Sequence, residues 1–271
     1  MGEVFYVVGG GPGGAGAAYA AGKLGYRVVV IEAMERLAVK PCGRGIPLAG
    51  DIPFRVPREA ILNRVRFVDL YVDGVHAFKS GGFLEGVIVD KSLLLEHAFS
   101  EAGASVLYNS KYNLRTGYAR IGGEHVEVET GVFAGGFPYY DGERIPVVQV
   151  IAGGVKDVDL ESMEIRFDTR LLGYYYVFPH GDNVEVGVGG FSDHGTLWKL
   201  LSRFMESDPR LAGARVLKRE AAVVSVGGLR LGYVNRLVRV GEAAGYVLPL
   251  TGEGIRPSII SGYVAAKAIA E

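Results

Sequence analysis

Val4-Phe5-Tyr6-Val7-Val8-Gly9-Gly10-Gly11-Pro12-Gly13-Gly14 is the stretch on which the fold turns. Val4 to Val8 are β-branched or aromatic residues ended by glycines, and they read as a short buried strand. The segment 12–24 that follows is rich in Ala and Gly and reads as a helix with proline at its first position. Gly9-x-Gly11-x-x-Gly14 therefore lies between a strand and a helix, the context in which this spacing signals a dinucleotide-binding turn. The first glycine permits the tight turn, the second lets backbone approach a pyrophosphate, and the third lets helix and strand pack closely. The helix start, with Pro12 and Gly13, offers free N–H groups and a partial positive charge to phosphates. Residues 27–31 read as a second buried strand, and Glu32, followed by Ala33, closes the unit. A carboxylate there suits ribose hydroxyls and repels a 2′-phosphate, which disfavours NADP. On these residues alone, FAD and NAD both remain open.

The bulk properties set the class. The chain has 271 residues, enough for one large domain or two small ones around a sizeable core. Hydrophobic residues make up 49% and charged residues 22%, as in ordinary globular proteins. The net charge is −1, which gives no reason to expect nucleic acid or an acidic membrane surface as partner. No apolar run has the length of a membrane helix, and 4–8 is too short for a signal segment, so a cytoplasmic protein is expected. Cys42 is the one cysteine, which excludes an internal disulfide and a cysteine-based metal site. The five histidines show no metal-ligand spacing, and no metal is expected. A single glutamine, Gln149, and few asparagines point to a thermophilic source.

Further along, 40–58 is a proline-punctuated loop, and 65–71, 75–78 and 86–89 read as short strands. Segment 92–102 suits a helix with Gly103 after it, and 106–132 alternates strands and turns. The runs 147–152, 163–168, 173–178 and 183–189 are separated by turn residues and predict an antiparallel sheet. Segment 196–205 reads as a helix, 234–240 as a buried strand and 254–270 as a final helix. The expected architecture is α/β. A Rossmann-like domain made of 1–60, 84–135 and 232–271 binds the dinucleotide. A mostly antiparallel sheet made of 61–83 and 136–231 is inserted in it as the substrate or cap domain.

The far end of the chain narrows the cofactor. Val238-Arg239-Val240-Gly241-Glu242-Ala243-Ala244-Gly245, followed by Leu250-Thr251-Gly252-Glu253-Gly254-Ile255, resembles the second FAD motif of the two-dinucleotide-binding-domain flavoproteins, with Glu242 in place of the usual Asp. The resemblance implies that Gly241 and Glu242 approach the ribityl or pyrophosphate part of FAD. It also implies that Gly252, Gly254 and Ile255 open a helix beside the flavin ring, where the helix dipole favours negative charge on reduced flavin.

Tyr174-x-Tyr176-x-Phe178-Pro179, followed after seven residues by Gly187-x-Gly189, resembles a signature of the geranylgeranyl reductases, with Tyr176 at the usual Trp. Lys40-Pro41-Cys42-Gly43-Arg44-Gly45 resembles that family's segment near the flavin, with Arg44 where Gly is common. The resemblance implies an FAD-dependent oxidoreductase that saturates C=C bonds of a polyprenyl, archaeal-lipid-type substrate by hydride transfer from flavin N5. It makes Tyr174, Tyr176, Phe178, Pro179, Gly187 and Gly189 substrate-binding, and Cys42 the catalytic candidate that positions substrate or relays a proton. Arg44 and Gly45 become cofactor contacts, and Lys91 a remoter one. Tyr176 and Phe178 would equally serve to fill the core of the sheet, and Cys42 to fill a turn. With one GxGxxG, electrons are expected from an external donor, ferredoxin or NAD(P)H. The family usually continues beyond the second motif with a helical cover over the substrate tunnel, and the chain stops one helix after it. A peripheral association with membrane is compatible with a lipid substrate. A hydroxylase or dehydrogenase on a smaller substrate, or an electron-transfer subunit without catalysis of its own, are the competing functions.

Overall fold

The computed structural model describes residues 3–271. In chain order the elements are β1 (Val4–Val8), α1 (Pro12–Lys23), β2 (Arg27–Ile31), β3 (Gly45–Ile46), β4 (Ile61–Val72), β5 (Val75–Val89), α2 (Lys91–Glu101), β6 (Ser105–Leu107), β7 (Tyr118–Ile121) and β8 (Glu124–Glu127). They continue with β9 (Gly131–Phe133), β10 (Arg144–Gly153), β11 (Ser162–Asp168), β12 (Gly173–His180), β13 (Asn183–Gly189), α3 (His194–Ser207), β14 (Arg215–Ser225), β15 (Tyr233–Val234), β16 (Leu237–Arg239) and α4 (Ile255–Ala270).

Two sheets carry the molecule, with β7–β8 as a separate hairpin. The first has the order β15-β16-β9-β1-β2-β6, and β16, β9, β1, β2 and β6 run parallel. Its central strands are short and apolar because both faces are covered. Phe5, Val7, Val28 and Val30 bury against the small residues of α1, and Leu94, Leu95 and Ile259 complete that core from α2 and α4. The chain leaves β1 toward β2 and β6 and comes back on the other side at β9, so the order reverses beside β1. That reversal opens the crevice at the carboxyl ends of the strands where ligands of such sheets sit.

The second sheet has the order β14-β10-β13-β12-β11-β4-β5-β3, and every pair is antiparallel except β4 with β11. One face is apolar: Val148, Val150, Val177, Val184, Val186 and Val188 pack on Leu197 and Leu201 of α3. Period-2 alternation turns Gln149, Tyr174, Tyr176, Phe178, Glu185 and Glu220 to the other face, which meets the nucleotide-type domain.

Several elements differ from their sequence-based expectation. The runs 75–78 and 86–89 are parts of one continuous strand, β5, which crosses the position expected to divide the domains. β14 carried no recognisable pattern because it is an edge strand with mostly exposed residues in its first half. The run 234–240 is broken: Asn235 takes a left-handed φ of 53° and makes a hairpin, so β15 runs against β16. The proline-rich loop also contributes β3 to the edge of the second sheet.

Candidate functional site

Gly9 ends β1 with φ of 104°, and a Cβ there would lie 2.4 Å from the carbonyl oxygen of Ala134 at the end of β9. A Cβ on Gly14 would lie 2.1 Å from the carbonyl oxygen of Gly9. Both glycines are thus required by the protein itself. Gly11 is different: its backbone is extended, and a Cβ there would meet no atom within 4 Å. Space is left above the one motif glycine that the fold does not need.

The helix starts tell the same story. Asp90 caps α2 through the N–H groups of Ser92 and Leu93, and Asp193 caps α3 through that of Thr196. α1 and α4 begin instead at Gly11 and Gly254, and no side chain caps either. An uncapped helix start keeps its N–H groups and partial positive charge for an anionic or electron-rich ligand. The two motifs also touch, since a Cβ on Gly13 would be 3.0 Å from the Cα of Gly241. Gly241 holds φ of 61°, and its N–H donates to Ser261 Oγ at 2.9 Å.

Glu32 accepts from the N–H of Gly10 at 2.7 Å and from that of Met34 at 2.8 Å, one bond to each oxygen. It ties the glycine loop to the end of β2 and leaves each oxygen a lone pair for a ligand hydroxyl. Glu242 is bound by Lys40 Nζ at 2.6 Å and by the N–H and Oγ of Ser225, both at 3.2 Å. Lys91 Nζ donates to the carbonyl oxygen of Lys40. The segment 40–45 is therefore pinned between the second motif and the large sheet.

β12 faces this segment. Phe178 stands where a side chain on Gly43 would be, 3.0 Å from the Cβ position, and the Tyr174 hydroxyl donates to the carbonyl oxygen of Thr251 in the loop before α4. The rings of Tyr174 and Tyr176 lie 6.2 Å apart and those of Tyr176 and Phe178 lie 4.8 Å apart. Pro179 is buried behind them. Gly187 sits directly across from Tyr176, and a Cβ on it would fall 2.3 Å from the phenol ring. Gly187 thus makes room for the Tyr176 ring, whereas a Cβ on Gly189 would fall 2.7 Å from the side chain of Val147. Ala33 is exposed at the end of β2, Gly252 lies under the Tyr174 hydroxyl, and Ile255 is buried in the first turn of α4.

No family model matches the chain. Digeranylgeranylglycerophospholipid reductase 2 of Methanopyrus kandleri is 30% identical to it, over 98% of this chain and 76% of that protein. The chain belongs to the geranylgeranyl reductase family of flavin-dependent oxidoreductases. The chloroplastic geranylgeranyl diphosphate reductase of Nicotiana tabacum is 28% identical over 98% of the chain, which spans 65% of that relative. A geranylgeranyl bacteriochlorophyll reductase-like protein of Thermoplasma acidophilum superposes with a TM-score of 0.87 at 25% identity, over the whole of this chain and 79% of that one. The fold extends to P. aeruginosa PqsL, with a TM-score of 0.73 and 19% identity over 98% of this chain and 85% of that one.

Within this reductase-family chain, sequence reasoning missed a cluster of charge. Arg44 has φ of 56°, a conformation that glycine adopts more readily, and its guanidinium turns into the large sheet. It pairs with Glu185 Oε2 and reaches Glu220 at 3.4 Å. Glu220 also takes Lys218 at 2.5 Å and Gln149 Nε2 at 2.7 Å, and the Tyr176 hydroxyl donates to Gln149 Oε1 at 2.6 Å. The signal for this cluster was present as polar residues flanked by valines, in Val148-Gln149-Val150 and Val184-Glu185-Val186. Among the described residues no group of His, Cys, Asp and Glu could hold a metal, and no helix is long and apolar enough to cross a membrane.

Glu185 is 1% exposed and its Oε1 has no partner. Burial pushes its carboxyl up to about 8, against the pull of Arg44 and with the help of Glu220. Glu220 stays below its ordinary value despite burial, because Lys218, Gln149 and Arg44 all favour its charge. Arg44 is shared, and Glu220 has the extra donors. The consequence for stability has a definite sign. The unfolded chain loses this proton near ~4.3, whereas the folded chain keeps it to about 8. Between these values the folded state binds more protons, so stability falls as pH rises, by up to ~1.4 kcal/mol per pH unit, and the fall ends above the folded value. Denaturant melts of wild type and Glu185→Gln across that window should show this slope in the first and its loss in the second.

Proposed function

We propose that the chain binds FAD and saturates C=C bonds of a polyprenyl substrate. What supports this is the file Tyr174–Tyr176–Phe178, which stands between the Cys42 segment and the uncapped start of α4. The residues present fit the cofactor. The open space over Gly11 and the bare first turn of α1 suit a pyrophosphate, and the free lone pairs of Glu32 suit ribose hydroxyls. Glu242, held by Lys40 and Ser225, fixes the strand end that approaches the middle of the cofactor. Flavin, once bound and reduced, supplies the hydride. The protein supplies the rest: Tyr174 and Phe178 offer an apolar bed for an isoprenoid chain, worth ~25 cal/mol per Å² buried. Cys42 and Gly43 set the other wall. Electrons enter from an external donor, ferredoxin or NAD(P)H, because a single glycine fingerprint is present.

Arg44, Glu185 and Glu220 favour a second reading, in which the same scaffold handles a smaller and more polar substrate as a hydroxylase or dehydrogenase. The test is anaerobic. Flavin-loaded protein is reduced and mixed with geranylgeranyl glycerophospholipid. The expected result is reoxidation of the flavin and a product heavier by two hydrogens per saturated bond. Rapid reoxidation by oxygen with no reaction toward any prenyl compound would sink the prenyl reading and favour the second.

A further inference from the structure

We propose that Glu185 is the acid of this site, and that its Oε1 holds the proton which the saturation reaction consumes. The inference rests on the prenyl reductase reading and deepens it. Reduction of C=C by a hydride leaves a second carbon that must receive a proton. The buried carboxyl nearest the Cys42 segment is that of Glu185.

Its geometry argues for this role. Oε2 is taken by Arg44, which leaves Oε1 as the oxygen that can carry a proton. Oε1 is buried, has no partner, and lies 3.8 Å from the position of a Cβ on Gly43. Gly43 has no side chain, and the atoms nearest its Cβ position are the edge of Phe178 and Oε1 itself. The groups around Glu185 come from four elements. Arg44 belongs to the segment 40–45 with Cys42, Tyr176 to β12, Glu220 to β14 and Lys91 to α2; Lys218 pairs with Glu220, and Arg44, Glu220, Asp90 and Lys218 act on His180. Tyr176 already directs its hydroxyl proton to Gln149, and burial together with Arg44 lowers the pKa of His180. Two carboxylates then share one guanidinium. Such a pair separates into an acid and a base when one member has more donors than the other. Glu220 has Lys218 and Gln149, while Glu185 has Arg44 alone.

The balance is simple. Bound reduced flavin would supply the hydride of one C–H bond. The O–H bond of Glu185 breaks, its proton forms the second C–H bond, and its electron pair stays on the carboxylate beside Arg44. Solvent returns the proton before the next turnover.

Infrared spectroscopy of the whole protein reads the proton directly, without substrate. The band of a protonated carboxyl should be present at pH 7 and vanish with a midpoint near 8, be missing in Glu185→Gln, and titrate lower in Glu220→Gln, where Arg44 is left to Glu185. In turnover with the prenyl lipid, wild-type kcat should fall by about tenfold per pH unit above that midpoint. Glu185→Gln should be at least about tenfold slower with that break gone and KM unchanged. A band absent at pH 7, or persisting in Glu185→Gln, overturns the assignment. So does a Glu185→Gln protein with wild-type kcat and an unchanged pH break. If Glu185→Gln does not fold, the shift in Glu220→Gln decides, and an unmoved midpoint overturns it. Failure of the prenyl reading is recognised separately, as a wild type that turns over no prenyl compound while the band titrates as described.

Discussion

Gly11→Val should fold and melt like the wild type and bind FAD at least about 100-fold more weakly, a loss of about 3 kcal/mol. The two halves of this expectation have separate causes. Gly11 has φ of −80° and ψ of −174°, extended backbone that valine adopts without strain, and a Cβ there meets nothing in the protein. Folding therefore has no stake in the residue. A pyrophosphate drawn to the first turn of α1 would occupy the space that the isopropyl group fills. Thermal melts of the apoprotein and fluorescence titration with FAD measure the two quantities independently. Equal FAD affinity in the variant would show that the cofactor does not lie over this turn.

Gly262→Val should fail to fold. A Cβ on Gly262 would fall 1.9 Å from the carbonyl oxygen of Gly13, and one on Gly16 falls 1.9 Å from that of Ile259. The two helices meet backbone to backbone, so no side chain can swing away to relieve the contact. Separating α1 from α4 would unseat Ile259 and Ala266 from the core that buries Phe5 and Val7. Overpacking of side chains costs ~1–3 kcal/mol. A clash with backbone exceeds that and approaches the ~5–15 kcal/mol by which whole domains are stable. Soluble yield and the far-ultraviolet melt are the measurements, with Gly50→Ala as control, because a Cβ on Gly50 meets nothing and its backbone is not left-handed. A Gly262→Val protein with a cooperative wild-type melt would refute the close approach of α1 and α4.

Glycine spacing made the first of these sites legible and hid the second. Gly9, Gly11 and Gly14 form a local pattern, because a strand, a turn and a helix start follow one another within a few residues. Gly16 and Gly262 are far apart in the chain, and no spacing rule connects them. Glu242 shows the same division. Its place after a buried strand was readable, whereas its partners Lys40 and Ser225 come from two other segments. Arg44 was expected toward the cofactor, and the structure turns it toward Glu185 and Glu220, which lie about 140 and 176 residues away in the chain. Long-range pairing of buried charge leaves only a faint local trace, here a single polar residue among valines.

The sequence by itself determined the α/β class, the dinucleotide turn at residues 9–14, the closing Glu32, the second motif at 241–254 and the aromatic strand 174–179. Each of these is a short stretch whose residues act on their neighbours. Only the tertiary structure decided that the two motifs touch at Gly13 and Gly241, that Gly187 is the socket for Tyr176, and that Arg44 joins two buried carboxylates. Those outcomes depend on strand register and on which face each strand turns inward. The register of the large sheet is set jointly by eight strands and by the valines that must cover α3. A polar side chain on the opposite face then lies wherever that register puts it.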